Sequence, residues 1–245
     1  MTEIKGDAEK IPSIWQISGE SPPRPLLEIS SIRKDYRQPD GSNMTALRLG
    51  PLTAYPGEAI SVTGPSGSGK TTLLRMLAAI TKPTFGEIRF AGQDIARLGN
   101  AEAAWRAVSV GYIFQDINLL PDFSVLENLM LASEISHVPV KAAESRASSL
   151  LTRLGLDGRK DSRPAKLSIG ERQRAAVARA VIHRPPMILA DEPTASLDAE
   201  NARVVIRMLT ELCAERRALL IVATHDDAVR RALPRTVKIG SEAAL

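Results

Sequence analysis

Short apolar runs alternate with longer amphipathic stretches along this chain. Three of the runs predict buried strands: Ala59–Thr63, Met187–Ala190 and Ala218–Ala223. The stretches that follow a helical pattern are Thr72–Ile80, Ser168–His183 and Ala199–Arg216. Strands that alternate with helices predict an α/β fold with a mainly parallel sheet, which binds its ligands at the carboxyl ends of the strands.

Other runs predict further strands, at Leu26–Ile32, Met44–Leu52, Gly86–Phe90, Val108–Phe114 and Arg235–Ile239. The first two flank an Asp40-Gly41 turn, with Tyr36 between them. From Asp116 to about Pro164 the pattern becomes helical. Ser124 stands three residues before Glu127, which is the spacing of a capping box, and a second helix is expected at Pro139–Leu154, closed by Gly155. This block therefore reads as a helical insertion in an α/β chain.

The strand Ala59–Thr63 leads into Gly64–Thr71, which reads G-x-x-x-x-G-K-[ST], the spacing of a phosphate-binding P-loop. Glycines let the backbone wrap a phosphate, and the following helix adds free N–H groups and a partial positive charge. We expect Lys70 to reach the β- and γ-phosphates and the Thr71 hydroxyl to ligate Mg²⁺. The residues expected to bind the nucleotide here are Gly64, Pro65, Ser66, Gly67, Ser68, Gly69, Lys70, Thr71 and Thr72.

Two carboxylates, Asp191 and Glu192, directly follow the apolar run Met187–Ala190. They are expected at the carboxyl end of a core strand, where the P-loop also lies. There Asp191 can hold the Mg²⁺ shell, and Glu192 can polarise an attacking water as a general base. An exposed acidic turn is the alternative.

Gln115 and His225 each follow an apolar run as well. The neutral amide of Gln115 can ligate Mg²⁺ or hold the attacking water, and His225 can reach the γ-phosphate. Taken alone, a glutamine at a strand end is more often structural, and a lone histidine more often has no functional role.

The stretch Leu167–Gln173 begins the predicted arginine-rich helix. Ser168 can cap this helix, while the free N–H groups of its first turn bind an anion. An ordinary helix cap explains the local pattern equally well, and nothing in one chain says whose phosphate would bind.

In their order along the chain these motifs resemble the nucleotide-binding subunit of an ATP-binding-cassette (ABC) transporter, from about Leu26 to Gly240. The matching motifs are the P-loop at Gly64–Thr71, the Q-loop at Gln115, the signature at Leu167–Glu171, the Walker B stretch Met187–Glu192 and the H-loop at His225. Ser196–Asp198 resembles the D-loop, and Tyr36 the aromatic residue that stacks on adenine.

The resemblance implies an ABC ATPase domain at residues 26–240 with a P-loop NTPase core. That core would have a RecA-like mixed sheet, an antiparallel β part and an inserted helical sub-domain at about residues 116–170. ATP and Mg²⁺ would be its cofactors, with Thr71, Gln115 and Asp191 on the metal. The catalytic residues would be Glu192, His225, Lys70 and Gln115.

The family also implies partners. A homodimer would hold each ATP between the P-loop of one copy and Ser168, Gly170 and Glu171 of the other. An integral membrane subunit would place the cassette peripherally at the cytoplasmic face of the membrane. The stretches Gly111–Gln115, Asn118–Pro121, Ser124–Asn128 and Leu189–Thr194 resemble the lipoprotein-release and macrolide-export branch, and a cell-division ATPase looks similar.

One residue departs from the family pattern. The signature usually carries a glycine where this chain has Ile169. If that glycine takes a positive φ, the β-branched Ile169 would be strained, with slower turnover or a weaker dimer as the expected result.

Net charge, cysteine count and the length of the apolar runs limit the classes of function that fit this chain. The chain has 245 residues, a formal net charge of +4 and a sequence pI near 9.4, which is too weakly basic to argue for nucleic acid. The single cysteine, Cys213, excludes an internal disulfide framework, and we expect it to be buried. No signal peptide and no membrane span are predicted, and residues 1–25 read as a flexible extension.

The sequence leaves two other hypotheses about function open. A regulatory subunit that uses ATP to control a cell-envelope enzyme would carry the same catalytic set without moving a substrate. A cassette that acts on DNA or ribosomes is disfavoured because the chain has one cassette and no long heptad run. No nucleic-acid partner is therefore expected.

Overall fold

The structure is a computed structural model that describes residues 24–240, so the predicted extension at residues 1–25 lies almost wholly outside the described residues. The strands are β1 (Leu27–Ile29), β2 (Ile32–Arg37), β3 (Asn43–Leu49), β4 (Leu52–Ala54), β5 (Ala59–Thr63), β6 (Ile88–Phe90), β7 (Gln93–Asp94), β8 (Val110–Ile113), β9 (Met187–Asp191), β10 (Leu219–Ala223) and β11 (Arg235–Lys238). The α-helices are α1 (Lys70–Leu77), α2 (Glu102–Ser109), α3 (Val125–Ile135), α4 (Val140–Arg153), α5 (Ile169–Val181), α6 (Ala199–Arg216) and α7 (Asp227–Ala232).

The central sheet has five parallel strands in the order β11-β5-β10-β9-β8. Ala223 at the end of β10 pairs with Val62 on one side and with Asp191 on the other. On the outer side of β9, Ile113 pairs with Ala190. The strands therefore end almost level, and the loops that follow them meet at one edge.

Both faces of this sheet are covered. Every residue of β9 and β10 is buried, as expected for parallel strands between two layers. Their side chains alternate between two hydrophobic cores. Ile188 and Leu220 pack with α5 and α6 on one face, whereas Leu189 and Leu219 pack with α1 and the antiparallel strands on the other.

The antiparallel strands form separate sheets, a four-stranded one in the order β4-β1-β6-β7 and the hairpin β2-β3. Each of the first two predicted strands runs past the end of a real strand to the first residue of the next, because the chain passes from one sheet to the other at Ser30-Ser31 and again at Gly50-Pro51. Tyr36 lies within β2, not between strands as predicted.

Some helix boundaries also differ from the prediction. Helix α1 begins at Lys70, two residues earlier than expected, and ends at Leu77. Val108 belongs to helix α2, not to a strand, and neither α2 nor α7 was predicted.

The block predicted as helical contains α3 and α4, but residues 116–124 form an irregular loop. The buried amide of Asn128 holds this loop: it donates to the carbonyl oxygens of Leu120, Phe123 and Ser124 at 3.2, 3.2 and 2.9 Å and accepts from the Leu120 N–H at 2.8 Å. The capping box of α3 is confirmed, with Ser124 N–H donating to Glu127 Oε2 at 2.6 Å.

Cys213 is buried as predicted, and burial raises the pKa of its thiol to about 12. Among residues 24–240, no helix has the length and apolarity that crossing a bilayer requires.

We predict that Leu129→Ala lowers the free energy of unfolding by about 2–5 kcal/mol, because Leu129 is fully buried and the substitution leaves a cavity. Ile135 lies on the same helix with 56% of its surface exposed, and Ile135→Ala should change stability by only about 0.5 kcal/mol. Urea unfolding followed by circular dichroism measures both. Equal losses would contradict the packing assigned to α3.

Candidate nucleotide site

The P-loop connects β5 to α1 and wraps the first turn of that helix. Gly67 and Gly69 both have a positive φ, 78° and 95°, and Gly69 is the N-cap of α1. The ammonium of Lys70 folds back on the loop, where it donates to the carbonyl oxygens of Gly64 at 2.8 Å and Pro65 at 3.1 Å. The loop thus presents the helix N-terminus together with one cation, as a phosphate group requires. Thr71 and Thr72 are half-buried in the first turn of α1.

The β2-β3 hairpin touches the P-loop directly. The register of the hairpin shifts so that Ala46 has no partner residue on β2. A Cβ atom placed on Gly69 would lie 2.3 Å from the carbonyl oxygen of Ala46, so only glycine fits there. On the same hairpin Tyr36 is 38% exposed, and Lys34 Nζ lies 5.0 Å from its ring centroid.

Asp191 ends β9 and is buried. Burial raises the pKa of its carboxyl above the ordinary value of 3.8, a hydrogen bond with the Thr71 hydroxyl opposes the rise, and the charge of Glu192 adds to it. Its Oδ1 atom is buried without a hydrogen-bond partner. A buried carboxylate oxygen without a partner, next to a threonine hydroxyl, fits a hard cation such as Mg²⁺.

Glu192 and His225 come together at the next position along the edge. Nδ1 of His225 donates to Oε1 of Glu192 at 2.8 Å, and the His225 backbone N–H lies 3.4 Å from Oε2. Glu192 has a positive φ of 45°, an unusual backbone for a glutamate, and its N–H donates to the Ala223 carbonyl at 2.9 Å. Glu192 is only 9% exposed, so the acidic pair is not an exposed turn.

Gln115 lies two residues beyond Ile113, the last paired residue of β8. The structure thus brings it to the same edge as Asp191 and Glu192, with its side chain exposed. Among the described residues, no hydrogen bond joins Gln115 to Thr71 or Asp191.

The signature stretch lies elsewhere, at the start of α5. Ser168 caps this helix: its Oγ accepts from Glu171 N–H at 3.2 Å, and Glu171 Oε2 accepts from Ser168 N–H at 2.8 Å. Arg159 Nε adds a bond to Glu171 Oε1 at 2.9 Å. The Ser168 backbone and Arg159 together lower the pKa of the Glu171 carboxyl. The capping role of Ser168 is therefore real, and Glu171 is already engaged within its own chain.

The strain considered for Ile169 does not occur. Ile169 is the first residue of α5 and has no positive φ, so a β-branched side chain fits there. Its side chain is 45% exposed. It lines an open cavity of about 550 Å³ whose other walls include Ser168, Gly170, Arg174 and Asn201.

Asp198, in the stretch that resembles the D-loop, also lines that cavity. It caps α6 by accepting from the N–H groups of Glu200 and Asn201 at 3.1 and 2.9 Å. None of the residues lining the cavity belongs to the P-loop or to the Asp191–Glu192 pair. Within residues 24–240 the signature residues and the P-loop therefore lie in separate places.

Some structural partners of the site were not found from the sequence. These are the contact between Glu192 and His225, the hydrogen bonds of Asn128 to the loop at residues 116–124 and the Arg159–Glu171 ion pair. No motif in the sequence signals any of these pairings. A capping-box spacing at Ser168–Glu171 was present in the sequence and is the one signal that pointed to part of this geometry.

A P-loop at the carboxyl edge of a parallel sheet, beside Asp191 and Glu192, defines the class of P-loop nucleotide-hydrolysing proteins. Comparison with known proteins gives the family. The family profile described as ABC transporter matches residues 50–195. The chain belongs to the ABC transporter family, as an ATP-binding cassette with ATPase function.

Its relatives include both separate and fused cassettes. The lipoprotein-releasing system ATP-binding protein LolD of Nitratidesulfovibrio vulgaris is 42% identical over 207 residues, covering 84% of this chain and 88% of the relative. The pyoverdine export ATP-binding/permease protein PvdT of Pseudomonas entomophila is 39% identical over 216 residues, covering 88% of this chain and 33% of the relative. The chain thus spans about a third of the length of the pyoverdine export proteins.

Solved structures agree. The ATP-binding cassette MJ0796, determined as a dimer in a post-hydrolysis state with ADP and Pi, superposes with a TM-score of 0.80 at 31% identity, covering 87% of this chain and 94% of the other. CbiO1 of Clostridium perfringens gives a TM-score of 0.77 at 28% identity, covering 88% and 84%. The predicted fold class is confirmed.

We predict that Asp191→Asn raises the melting temperature of the nucleotide-free protein at pH 7. Burial penalises the carboxylate, so the folded-state pKa is raised; the penalty is complete above that pKa and disappears below the pKa of the unfolded state. As the pH falls through it the carboxyl is protonated and the advantage of asparagine should shrink. Thermal unfolding against pH measures this, with exposed Asp122→Asn as the control. An advantage that grows on acidification would contradict the assignment.

Proposed function

We propose that the cassette binds ATP at the P-loop and hydrolyses it with Glu192 as the general base. The observation that carries this is the hydrogen bond of 2.8 Å between His225 and Glu192, at the sheet edge where the P-loop begins. His225 holds the carboxylate at that edge and would itself reach the γ-phosphate. Lys70 stabilises charge on the β- and γ-phosphates.

We infer that Mg²⁺ is held by Thr71 and Asp191, with Gln115 as a further ligand. The Oδ1 atom of Asp191 supports this, since it is buried and accepts no hydrogen bond from the described residues. The ion, when bound, would neutralise charge between the β- and γ-phosphates. Tyr36 would stack on the adenine, because its hairpin is packed on Gly69 through the Ala46 carbonyl.

We propose that two copies complete each site. The cavity beside Ser168 and Gly170 contains none of the P-loop residues, yet it offers the free N–H groups of a helix N-terminus. Glu171 acts there by fixing the backbone of Ser168 and not as a direct contact. The dimeric MJ0796 cassette supports this arrangement as a structural neighbour.

We further propose a docking surface for a membrane subunit, formed by Ile80, Val108 and Ile135. These residues are 50%, 47% and 56% exposed, at the C-terminal ends of α1, α2 and α3. Two contacts join those ends. Arg106 donates to the carbonyl oxygens of Ala78 and Ala79 at 3.2 and 2.9 Å, and Ser136 Oγ donates to the Ala107 carbonyl at 2.7 Å. A cytoplasmic segment of an integral membrane subunit would cover this docking surface.

The transporter is proposed to be of the lipoprotein-release or macrolide-export type, at the cytoplasmic face of the membrane. The likeness to LolD and the stretches quoted above support the branch. The pyoverdine export relatives combine ATP-binding and permease functions in one name, which supports coupling to a membrane part.

We predict that Glu192→Gln lowers ATP turnover by about 10²–10⁴-fold while ATP binding is retained, because the amide cannot accept a proton. The variant should accumulate as an ATP-bound dimer. Steady-state phosphate release and size-exclusion chromatography with ATP measure the two effects. The control is exposed Glu134→Gln, on α3. Rapid hydrolysis by purified Glu192→Gln protein would refute the base role.

We predict that Val108→Glu and Ile135→Glu abolish co-purification of the membrane subunit from solubilised membranes while the ATPase activity of the isolated cassette is unchanged. A charge on the docking surface must be desolvated when the partner binds. Phe85→Glu is the matched control, since Phe85 is 63% exposed and pairs with the β2 strand through Arg33. Recovery of the same membrane protein by all three variants would rule out this docking surface.

A further inference from the structure

The last strand of the sheet runs directly onto the P-loop. Strand β11 pairs in parallel with β5, with Lys238 opposite Thr63. The ladder continues one residue further, since the Ile239 N–H donates to the Thr63 carbonyl at 2.8 Å. The two segments that follow β5 and β11 therefore leave the sheet side by side, the first as the P-loop and the second as Ile239 and Gly240.

The two segments are in backbone contact. A Cβ atom on Gly64 would lie 2.4 Å from the carbonyl oxygen of Ile239. A Cβ atom on Gly240 would lie 2.7 Å from the Cβ of Ser68 and 3.6 Å from the Cδ of Pro65. Real Cβ atoms do not approach that closely, so a side chain at position 240 forces a shift at the contact between Ser68 and Gly240.

Ser68 is held by packing at this place. Its Oγ atom is buried without a hydrogen-bond partner, while its N–H donates to the Pro65 carbonyl at 3.2 Å. The next residue is Gly69, the N-cap of α1. A shift of Ser68 therefore moves the N–H groups that face a bound phosphate.

We infer that Gly240 is a positioning residue for the P-loop: because it lacks a side chain, the chain after β11 lies against Ser68 and fixes the loop in the shape that receives the triphosphate. The inference rests on the proposed ATP-binding function of that loop. It assigns a functional role to a residue outside every motif quoted from the sequence.

The competing explanation is that Gly240 only provides a turn, since its φ is +81°. A comparison with Gly92 distinguishes the turn explanation from the positioning explanation. It has the same φ of +81°, but a Cβ atom there would meet nothing within 4 Å. Alanine at either position brings the same backbone strain, and only Gly240→Ala brings the collision with Ser68.

The experiment measures the affinity for a fluorescent ATP analogue and the melting temperature of Gly240→Ala and Gly92→Ala. We expect both variants to lose melting temperature, Gly240→Ala more than Gly92→Ala because its collision adds to the backbone strain. Affinity should fall by about ten- to a hundredfold for Gly240→Ala, as overpacking against the loop implies, and should be unchanged for Gly92→Ala. Turnover at saturating ATP should fall much less than affinity, because the defect lies in binding.

A second substitution tests the contact itself. Ser68→Gly removes the Cβ atom that Gly240→Ala would strike, so the double variant should regain the affinity of Ser68→Gly alone. If Gly240→Ala does not fold, this double variant decides: restored folding and binding support the inference, and failure to restore them overturns it. Equal affinities for Gly240→Ala and Gly92→Ala would also overturn it. Failure of the unaltered protein to bind ATP would refute the proposed function instead.

Discussion

The parallel pairing of β5, β10, β9 and β8 determines where the P-loop, His225, the Asp191–Glu192 pair and Gln115 lie. Because Ala223 is in register with both Val62 and Asp191, the strands end almost level and their loops meet. Each strand contributes one element at that edge: the P-loop, His225, the Asp191–Glu192 pair and Gln115. The groups meet at one edge although they come from positions 64 to 225 of the chain.

Two residues at this edge of the sheet are held at a cost in free energy. Glu192 adopts a left-handed backbone that a glutamate rarely takes, and such a conformation persists only where the surroundings hold it. Here the Ala223 carbonyl accepts from its N–H and His225 holds its side chain. Desolvation of Asp191 is a second cost, which a bound cation would offset. Both costs are local to the residues proposed for catalysis and metal binding.

The sequence predicted the elements whose signal is local. When an apolar strand runs directly into a polar motif, the motif must lie at the carboxyl end of that strand. This is why the P-loop and Asp191 were located correctly. Helix α2 was missed because its last apolar residue, Val108, merges with the run of β8. Contacts such as Glu192–His225 and Gly240–Ser68 were not predictable, because neither residue of a pair signals its partner. The backbone strain considered for Ile169 does not arise, because the helix starts at that residue and no positive φ is required there.

The two hydrophobic cores on opposite faces of the sheet have a consequence for how such a cassette can diversify. Side chains such as Ile188 and Leu189 point to different cores, so α3 to α6 and α1 pack in separate cores on opposite faces of the strands. Substitutions that reshape the helical side leave the packing behind the P-loop intact. The two faces of such a cassette can therefore vary in sequence largely independently of each other.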